Sequence, residues 1–170
     1  FSLALAIRLI YMAQIYDNPT FKYPTLDARY HDEWAQAVAH GKLAQPQAFF
    51  RAPLYPYFLG LVYFIFGHNY YIARIVQYLF GSFGVGLLAL LAARLFGKKT
   101  ALAAGIVFAT YAGVIYLEGE LLLDFLLIPL DLLLFIFLYK AKKNPSWNNW
   151  LIAGLGLGLS GITRPNILIF

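Results

Sequence analysis

Long apolar runs separated by short polar segments make up most of the chain. Several of them approach the roughly 20 residues that an α-helix needs to cross a hydrocarbon core of about 30 Å. Because unpaired backbone groups are costly in lipid, such runs are expected to be helical. The pattern predicts an all-α integral membrane protein, a polytopic helical bundle with crossings at about residues 1–16, 70–96, 100–117, 120–139 and 149–163.

The segment 17–69 breaks this pattern with polar residues and prolines. The prolines between residues 17 and 26 are expected to exclude helix there. Apolar residues then recur on one helical face from Ala28 to His40, which predicts a short amphipathic helix lying in the membrane interface. A second short helix is predicted from Pro53 to Phe66, with Gly67 ending it.

The distribution of charge decides between two topologies. If Pro53–Phe66 crosses the membrane, every later helix is inverted; if it lies flat, residues 17–69 form one long external loop with two interfacial helices. The flat arrangement puts the cations of the later loops on the inner side, as the positive-inside rule requires. These cations are Arg94, Lys98, Lys99, Lys140, Lys142 and Lys143. It also leaves Asp131 as the only acid at membrane depth, so the flat arrangement is preferred.

Composition supports a membrane protein and limits the possible partners. The chain is 61% hydrophobic and 12% charged, with a mean hydropathy of +0.66, whereas soluble domains carry about 25% charged residues. The net charge of +5 does not form one patch, so nucleic acid is not an expected partner. With no cysteine, thiolate metal sites and cysteine nucleophiles are excluded. Because both ends lie inside apolar runs, the chain is interpreted as a fragment of a longer protein.

Asp27 is the first candidate for chemistry. An aspartate immediately before a helix is a good N-cap, which is a purely structural role. Alternatively, its carboxylate is a general base at the membrane surface. Both roles are compatible only if one carboxylate oxygen stays free.

Three patterns resemble a known class of membrane enzymes. The first is a set of residues at fixed spacing: Asp27, His31, Ala35 and Gly41. The others are Phe50-Arg51-Ala52-Pro53-Leu54 and Gly158-Leu159-Ser160-Gly161-Ile162-Thr163-Arg164-Pro165. Together they resemble polyprenyl-phosphate-sugar glycosyltransferases of the GT-C class, which includes protein O-mannosyltransferases and lipid A aminoarabinose transferases. The resemblance covers essentially the whole chain, as the amino-terminal part of such an enzyme.

The chain departs from that class at the loop helix. Ala28 follows the aspartate where the class usually has Glu, and His31 replaces the commoner Tyr. An Asp-Glu pair occurs nearby as Asp32-Glu33, and a shifted alignment would make Asp32 the base. In that shifted alignment, Ala35 and Gly41 no longer match the spacing of the class. Asp27 is therefore preferred as the base, and Asp32 is the second candidate.

The resemblance implies an inverting enzyme that takes a sugar from a polyprenyl-phosphate donor on the external face and passes it to a hydroxyl of a glycan, lipid or protein. Asp27, or else Asp32, would deprotonate the acceptor. Arginines would hold the donor phosphate, and the candidates are Arg51, Arg164 and Arg74. Asp124 or Glu120 would orient the acceptor. The class does not generally depend on a metal cofactor; the alternative is a divalent cation held by Asp27 together with Glu118, Glu120 and Asp124, since hard cations take oxygen ligands.

Each candidate also has a structural interpretation. Arg51 could be an ordinary interfacial arginine, and Arg74 or Arg164 could extend to the interface with no further role. Asp131 is expected to pair with Arg8 or with Arg74, since charges inside a membrane are usually paired or functional. The competing functional class is a transporter or assembly subunit, for which the predicted site is a midplane one around Asp131.

Overall fold

Helices account for all the regular secondary structure of the computed structural model, which describes residues 1–43 and 51–169. Phe50 and most of the predicted loop before Pro53 lie outside the described residues. The helices are α1 (Ser2–Ile15), α2 (Pro19–Lys22), α3 (Leu26–Ala39), α4 (Leu54–Phe66), α5 (Tyr70–Phe96), α6 (Lys98–Thr110), α7 (Ala112–Gly119), α8 (Asp124–Lys143) and α9 (Trp147–Thr163), followed by a 3-10 turn at Pro165–Ile169. The predicted all-α fold class is therefore confirmed for this part of the chain.

By length and hydropathy, α5 can cross a membrane on its own, and α6 with α7 can form a second span if the bent pair is one crossing. Helices α1 and α4 are apolar but shorter. The finding supports a membrane location, and the arrangement of five crossings stays a prediction.

Three predicted boundaries differ from the structure. Pro19 begins the short helix α2 instead of excluding helix, because proline fits the first helical position and Asn18 caps it by accepting from the Thr20 N–H at 3.0 Å. The predicted run 100–117 is bent by 51°, because Tyr111 takes an extended conformation between α6 and α7. The predicted run 120–139 becomes helical only at Asp124 and continues to Lys143.

A hydrophobic core fixes α3 and α4 against the beginning of α5 and the beginning of α8. It contains Ala28, Ala35, Tyr55, Leu59, Tyr63, Ala73, Leu121, Phe125 and Leu126. Helices α3 and α4 approach closely at Gly60, where a Cβ atom would lie 2.7 Å from Cγ1 of Val38. This packing holds the polar face of α3 over one end of the bundle.

Arg8 and Glu118 form a buried ion pair that links α1 to α7. The Arg8 Nε atom lies 2.5 Å from Oε2 of Glu118, and Nη2 lies 3.0 Å from Oε1. The predicted pairing of Asp131 with Arg8 or Arg74 is therefore wrong. Among the described residues, Oδ1 of Asp131 is buried without a hydrogen bond, and Arg8 is satisfied by an acid that approaches from the end of α7.

Candidate active site

Asp27 and Arg51 form an ion pair at the start of α3. The helix begins at Leu26 with Thr25 as N-cap, so Asp27 lies in the first turn and is not itself the cap. Acidic side chains are favoured there by the helix dipole. The Nη2 atom of Arg51 donates to Oδ1 of Asp27 at 2.6 Å, and the side chains are 34% and 47% exposed, respectively. The pair is thus accessible from outside the bundle.

A second, weaker ion pair joins the beginning of α8 to the end of α9. Asp124 is the first residue of α8, and Arg164 directly follows α9. Because these two helices run antiparallel, the two side chains meet, with Nη1 of Arg164 at 3.4 Å from Oδ1 of Asp124. The structure therefore joins two sequence-predicted residues that are 40 positions apart.

The buried imidazole of His31 lies within electrostatic reach of both ion pairs. Its Nδ1 atom is 3.1 Å from the carbonyl oxygen of Leu121. Since a carbonyl only accepts, Nδ1 carries the proton of the ring. Burial is the largest influence on the pKa of His31 and lowers it below its usual value. The side-chain charges that also act on this ring are those of Arg51, Asp27 and Asp124.

Asp32 has a different environment, although it lies on the same helix. Its side chain is 7% exposed. Oδ1 accepts from the hydroxyl of Tyr63 at 2.7 Å and is 3.0 Å from Nε2 of His68. Oδ2 accepts from the hydroxyl of Tyr70 at 3.0 Å and from the amide of Gln36 at 2.8 Å. Both oxygens therefore already have two partners each, and the carboxylate joins α3 to α4, to the loop that follows α4 and to the first residue of α5.

Side chains of α5 hold the non-helical junction between α7 and α8. The amide of Gln77 donates to the carbonyls of Glu118 and Glu120, each at 2.7 Å. The Nε atom of Arg74 donates to the carbonyl of Gly119 at 2.7 Å. Arg74 is buried, with its guanidinium 3.9 Å from the ring centre of Phe21. The junction that precedes Asp124 is thus fixed by buried hydrogen bonds.

Glu120 faces a polar cavity of about 270 Å³ beside this junction. The cavity is also lined by Arg74, Thr25 and the tyrosines Tyr11 and Tyr116. Within the described part of the chain, the Glu120 carboxylate makes no hydrogen bond or ion pair. It is therefore available to a ligand.

The sequence profile of a family described as dolichyl-phosphate-mannose-protein mannosyltransferase matches residues 50–170. The chain belongs to this family. The match confirms the resemblance to glycosyltransferases for more than half of the chain, and it begins just before Arg51, so Asp27 and Asp32 lie outside it. No curated protein and no solved structure matches the chain.

Two residues of this mannosyltransferase family member were missed as site residues by sequence reasoning. His31 was noted only as a departure from the resembling pattern, with no role of its own, but it is buried, at 1% exposed. Its position one turn after Asp27 on the same helical face was an available signal. Gln77 was not singled out, although an amide inside an apolar helix, one turn after Arg74, also indicates a buried partner. Over the described ranges, no three His, Asp or Glu side chains are grouped as ligands for a metal ion.

Proposed function

We propose that the chain is the amino-terminal part of an inverting glycosyltransferase that moves a sugar from a polyprenyl-phosphate donor to an acceptor hydroxyl. The observation that carries this proposal is the accessible Asp27–Arg51 pair at 2.6 Å, which sets a candidate base beside a candidate phosphate ligand. Membership in a mannosyltransferase family supports the reaction class. The same pairing disfavours a transporter, for which a midplane site was expected.

In the proposed reaction, Asp27 takes the proton of the acceptor hydroxyl while the acceptor oxygen attacks the anomeric carbon. The bond between that carbon and the phosphate oxygen breaks, and the polyprenyl phosphate leaves with the electron pair. Attack from the face opposite the phosphate inverts the anomeric centre. Asp27 fits this role because its Oδ2 atom makes no hydrogen bond with the described residues, whereas both oxygens of Asp32 are occupied.

The leaving phosphate gains one negative charge when the glycosidic bond breaks, so nearby cations stabilise the transition state more than the ground state. Arg51 and Arg164 are the proposed ligands because both are accessible and a guanidinium can bind phosphate through two hydrogen bonds. Arg74 is buried against the Gly119 carbonyl. Its proposed role is therefore to position the Glu120 segment, with direct phosphate binding less favoured.

The acceptor is proposed to bind next to Glu120. A carboxylate without a partner, in a cavity that also carries tyrosine and threonine hydroxyls, suits a ligand with several hydroxyl groups. Asp124 is paired with Arg164, which supports a role in orienting that arginine toward the phosphate. The proposed acceptor class remains a glycan, lipid or protein hydroxyl at the external face of the membrane.

The decisive experiment measures transfer of labelled mannose from polyprenyl-phosphate mannose by the full-length protein in proteoliposomes. Asp27→Asn is expected to lower kcat by about 10²- to 10⁴-fold, the usual contribution of a positioned base. Asp17→Asn is the matched control, because Asp17 is an exposed acid of the same predicted loop and makes no ion pair among the described residues. Near-normal turnover of Asp27→Asn in folded protein would exclude Asp27 as the base.

A further inference from the structure

A cavity of about 330 Å³ lies at the end of the bundle opposite the candidate active site. Arg94 comes from the last turn of α5, and the other lining residues come from the end of α8, which packs beside α5. The lining residues are Arg94, Tyr139, Lys140, Lys143 and Asn144. Because α5 and α8 run in the same direction, their carboxyl-terminal ends converge here.

Every side chain that lines this cavity is a hydrogen-bond donor, and three of them are cations. Arg94, Lys140 and Lys143 are exposed, and none of them makes an ion pair with a described residue. The nearest acid in sequence, Asp131, lies more than two helical turns before Lys140. The cavity therefore concentrates positive charge and hydrogen-bond donors, and none of the described residues that line it is acidic.

We propose that this cavity binds the phosphate group of an anionic phospholipid. Phosphate oxygens accept several hydrogen bonds at once, which matches a ring of ammonium, guanidinium, phenol and amide donors. Helix α5 is long and apolar enough to cross a membrane, so its end is expected to lie at the level of the lipid headgroups. Clusters of cations next to a crossing attract anionic lipids. The proposal does not depend on the glycosyltransferase function.

The chain offers a matched control for this site. Lys98, Lys99 and Lys142 lie at the same end of the molecule and carry the same total charge, but they do not line the cavity. If the lipid is attracted only by diffuse surface charge, removal of either set of cations weakens binding equally. If the lipid binds in the cavity, only removal of the cations that line it weakens binding.

The test titrates full-length protein in detergent with phosphatidylglycerol and counts bound lipid by native mass spectrometry. The triple variant Arg94→Gln, Lys140→Gln, Lys143→Gln is expected to raise the apparent Kd about 100-fold, since each cation near the phosphate contributes roughly fivefold. The control, Lys98→Gln, Lys99→Gln, Lys142→Gln, is expected to stay within about threefold of the wild type. If the triple variant does not fold, the single variant Arg94→Gln replaces it, and its apparent Kd is expected to be about fivefold higher than that of the wild type.

Phosphatidylcholine and soluble glycerol 3-phosphate separate the possible sources of the phosphate. Phosphatidylcholine is expected to bind more weakly than phosphatidylglycerol, and glycerol 3-phosphate is expected not to displace the bound lipid. Equal losses in the two triple variants would overturn the proposal in favour of a diffuse charge effect. Binding of glycerol 3-phosphate that depends on Arg94, without binding of phosphatidylglycerol, would overturn the lipid assignment.

Discussion

Two aspartates on α3 show how environment, and not residue type, separates a chemical role from a structural one. Asp27 is about half exposed and is held by one arginine. Asp32 lies little more than one turn further on, is buried, and accepts hydrogen bonds at both oxygens. A general base needs a free lone pair that can reach the hydroxyl of the sugar acceptor. A buried carboxylate, in contrast, stabilises a fold only when its lone pairs accept hydrogen bonds.

The substitution Asp32→Asn is therefore expected to lower stability and to leave the chemistry of the folded protein nearly unchanged. The new amide group would face the hydroxyl of Tyr70 and the amide of Gln36, which now donate to Oδ2. Leaving partly buried donors unpaired is expected to lower the free energy of unfolding by up to about 1–3 kcal/mol, the cost for fully buried groups. Steric trapping in bicelles measures this free energy for a membrane protein.

Glu33→Gln is the control for this prediction, because Glu33 is 61% exposed and its ion pair with Arg29 lies on the surface. Substitutions of this kind at exposed positions usually change the free energy of unfolding by no more than about 0.5 kcal/mol. If Asp32→Asn keeps wild-type stability but loses turnover about 100-fold, the general base would be Asp32 and the proposed assignment would fail.

At the scale of elements, the junction between α7 and α8 depends on close contact between α5 and α7. Gly81 of α5 lies directly under the Glu118 carboxylate, so that a Cβ atom there would collide with it. This glycine allows Glu118 to reach Arg8 across the bundle. One turn earlier on α5, Gln77 fixes the backbone on either side of Gly119.

The substitution Gly81→Ala is expected to displace Glu118 from Arg8 and to lower the free energy of unfolding by about 1–3 kcal/mol, the usual cost of overpacking. Gly86→Ala is the matched control on the same helix, because nothing lies within 4 Å of the Cβ position at Gly86. Alanine there is expected to be neutral or to stabilise the helix by up to about 1 kcal/mol. Equal stability of the two variants, measured by steric trapping, would contradict the proposed packing.

Helix boundaries were predicted correctly where the sequence contains a residue that ends a helix or a long apolar run. Gly67 has a φ of 80° and ends α4 at the predicted residue, and α5 covers the predicted run 70–96. The break at Tyr111 was missed because neither proline nor glycine occupies that position. The late start of α8 could not be predicted either, because the carbonyls before it are held by Gln77 and Arg74, which are distant in sequence.

The candidate site was predictable in its residue types but not in its pairings. The resemblance singled out Asp27, Arg51, Asp124 and Arg164, and the structure joins them into two ion pairs. No periodic pattern reveals which acid meets which arginine, because that depends on how helices pack. For the same reason, the partner of Arg8 was predicted wrongly.

At the scale of the whole molecule, charge is sorted along the axis of the bundle. The end that carries the beginning of α8 has the ion pairs of Asp27 and Asp124, whereas the cations at the opposite end have no acidic partner among residues 1–43 and 51–169. Unpaired Lys and Arg are retained on the inner side of membranes. The sorting therefore predicts that the candidate active site faces the external side, with α4 lying flat between α3 and α5.

Because residues 1–170 contain no cysteine, single cysteine reporters placed in them test this topology in the full-length protein, with any cysteine outside these residues replaced by serine. A membrane-impermeant maleimide is expected to label Tyr23→Cys in intact cells, and to label Lys98→Cys and Asn144→Cys only after permeabilisation, since all three positions are exposed. If α4 crossed the membrane, Tyr23 and Lys98 would lie on the same side. If α6 and α7 turned back without crossing, Lys98 and Asn144 would lie on opposite sides. Each alternative thus has its own labelling pattern, and only the predicted one combines an external Tyr23 with two internal reporters.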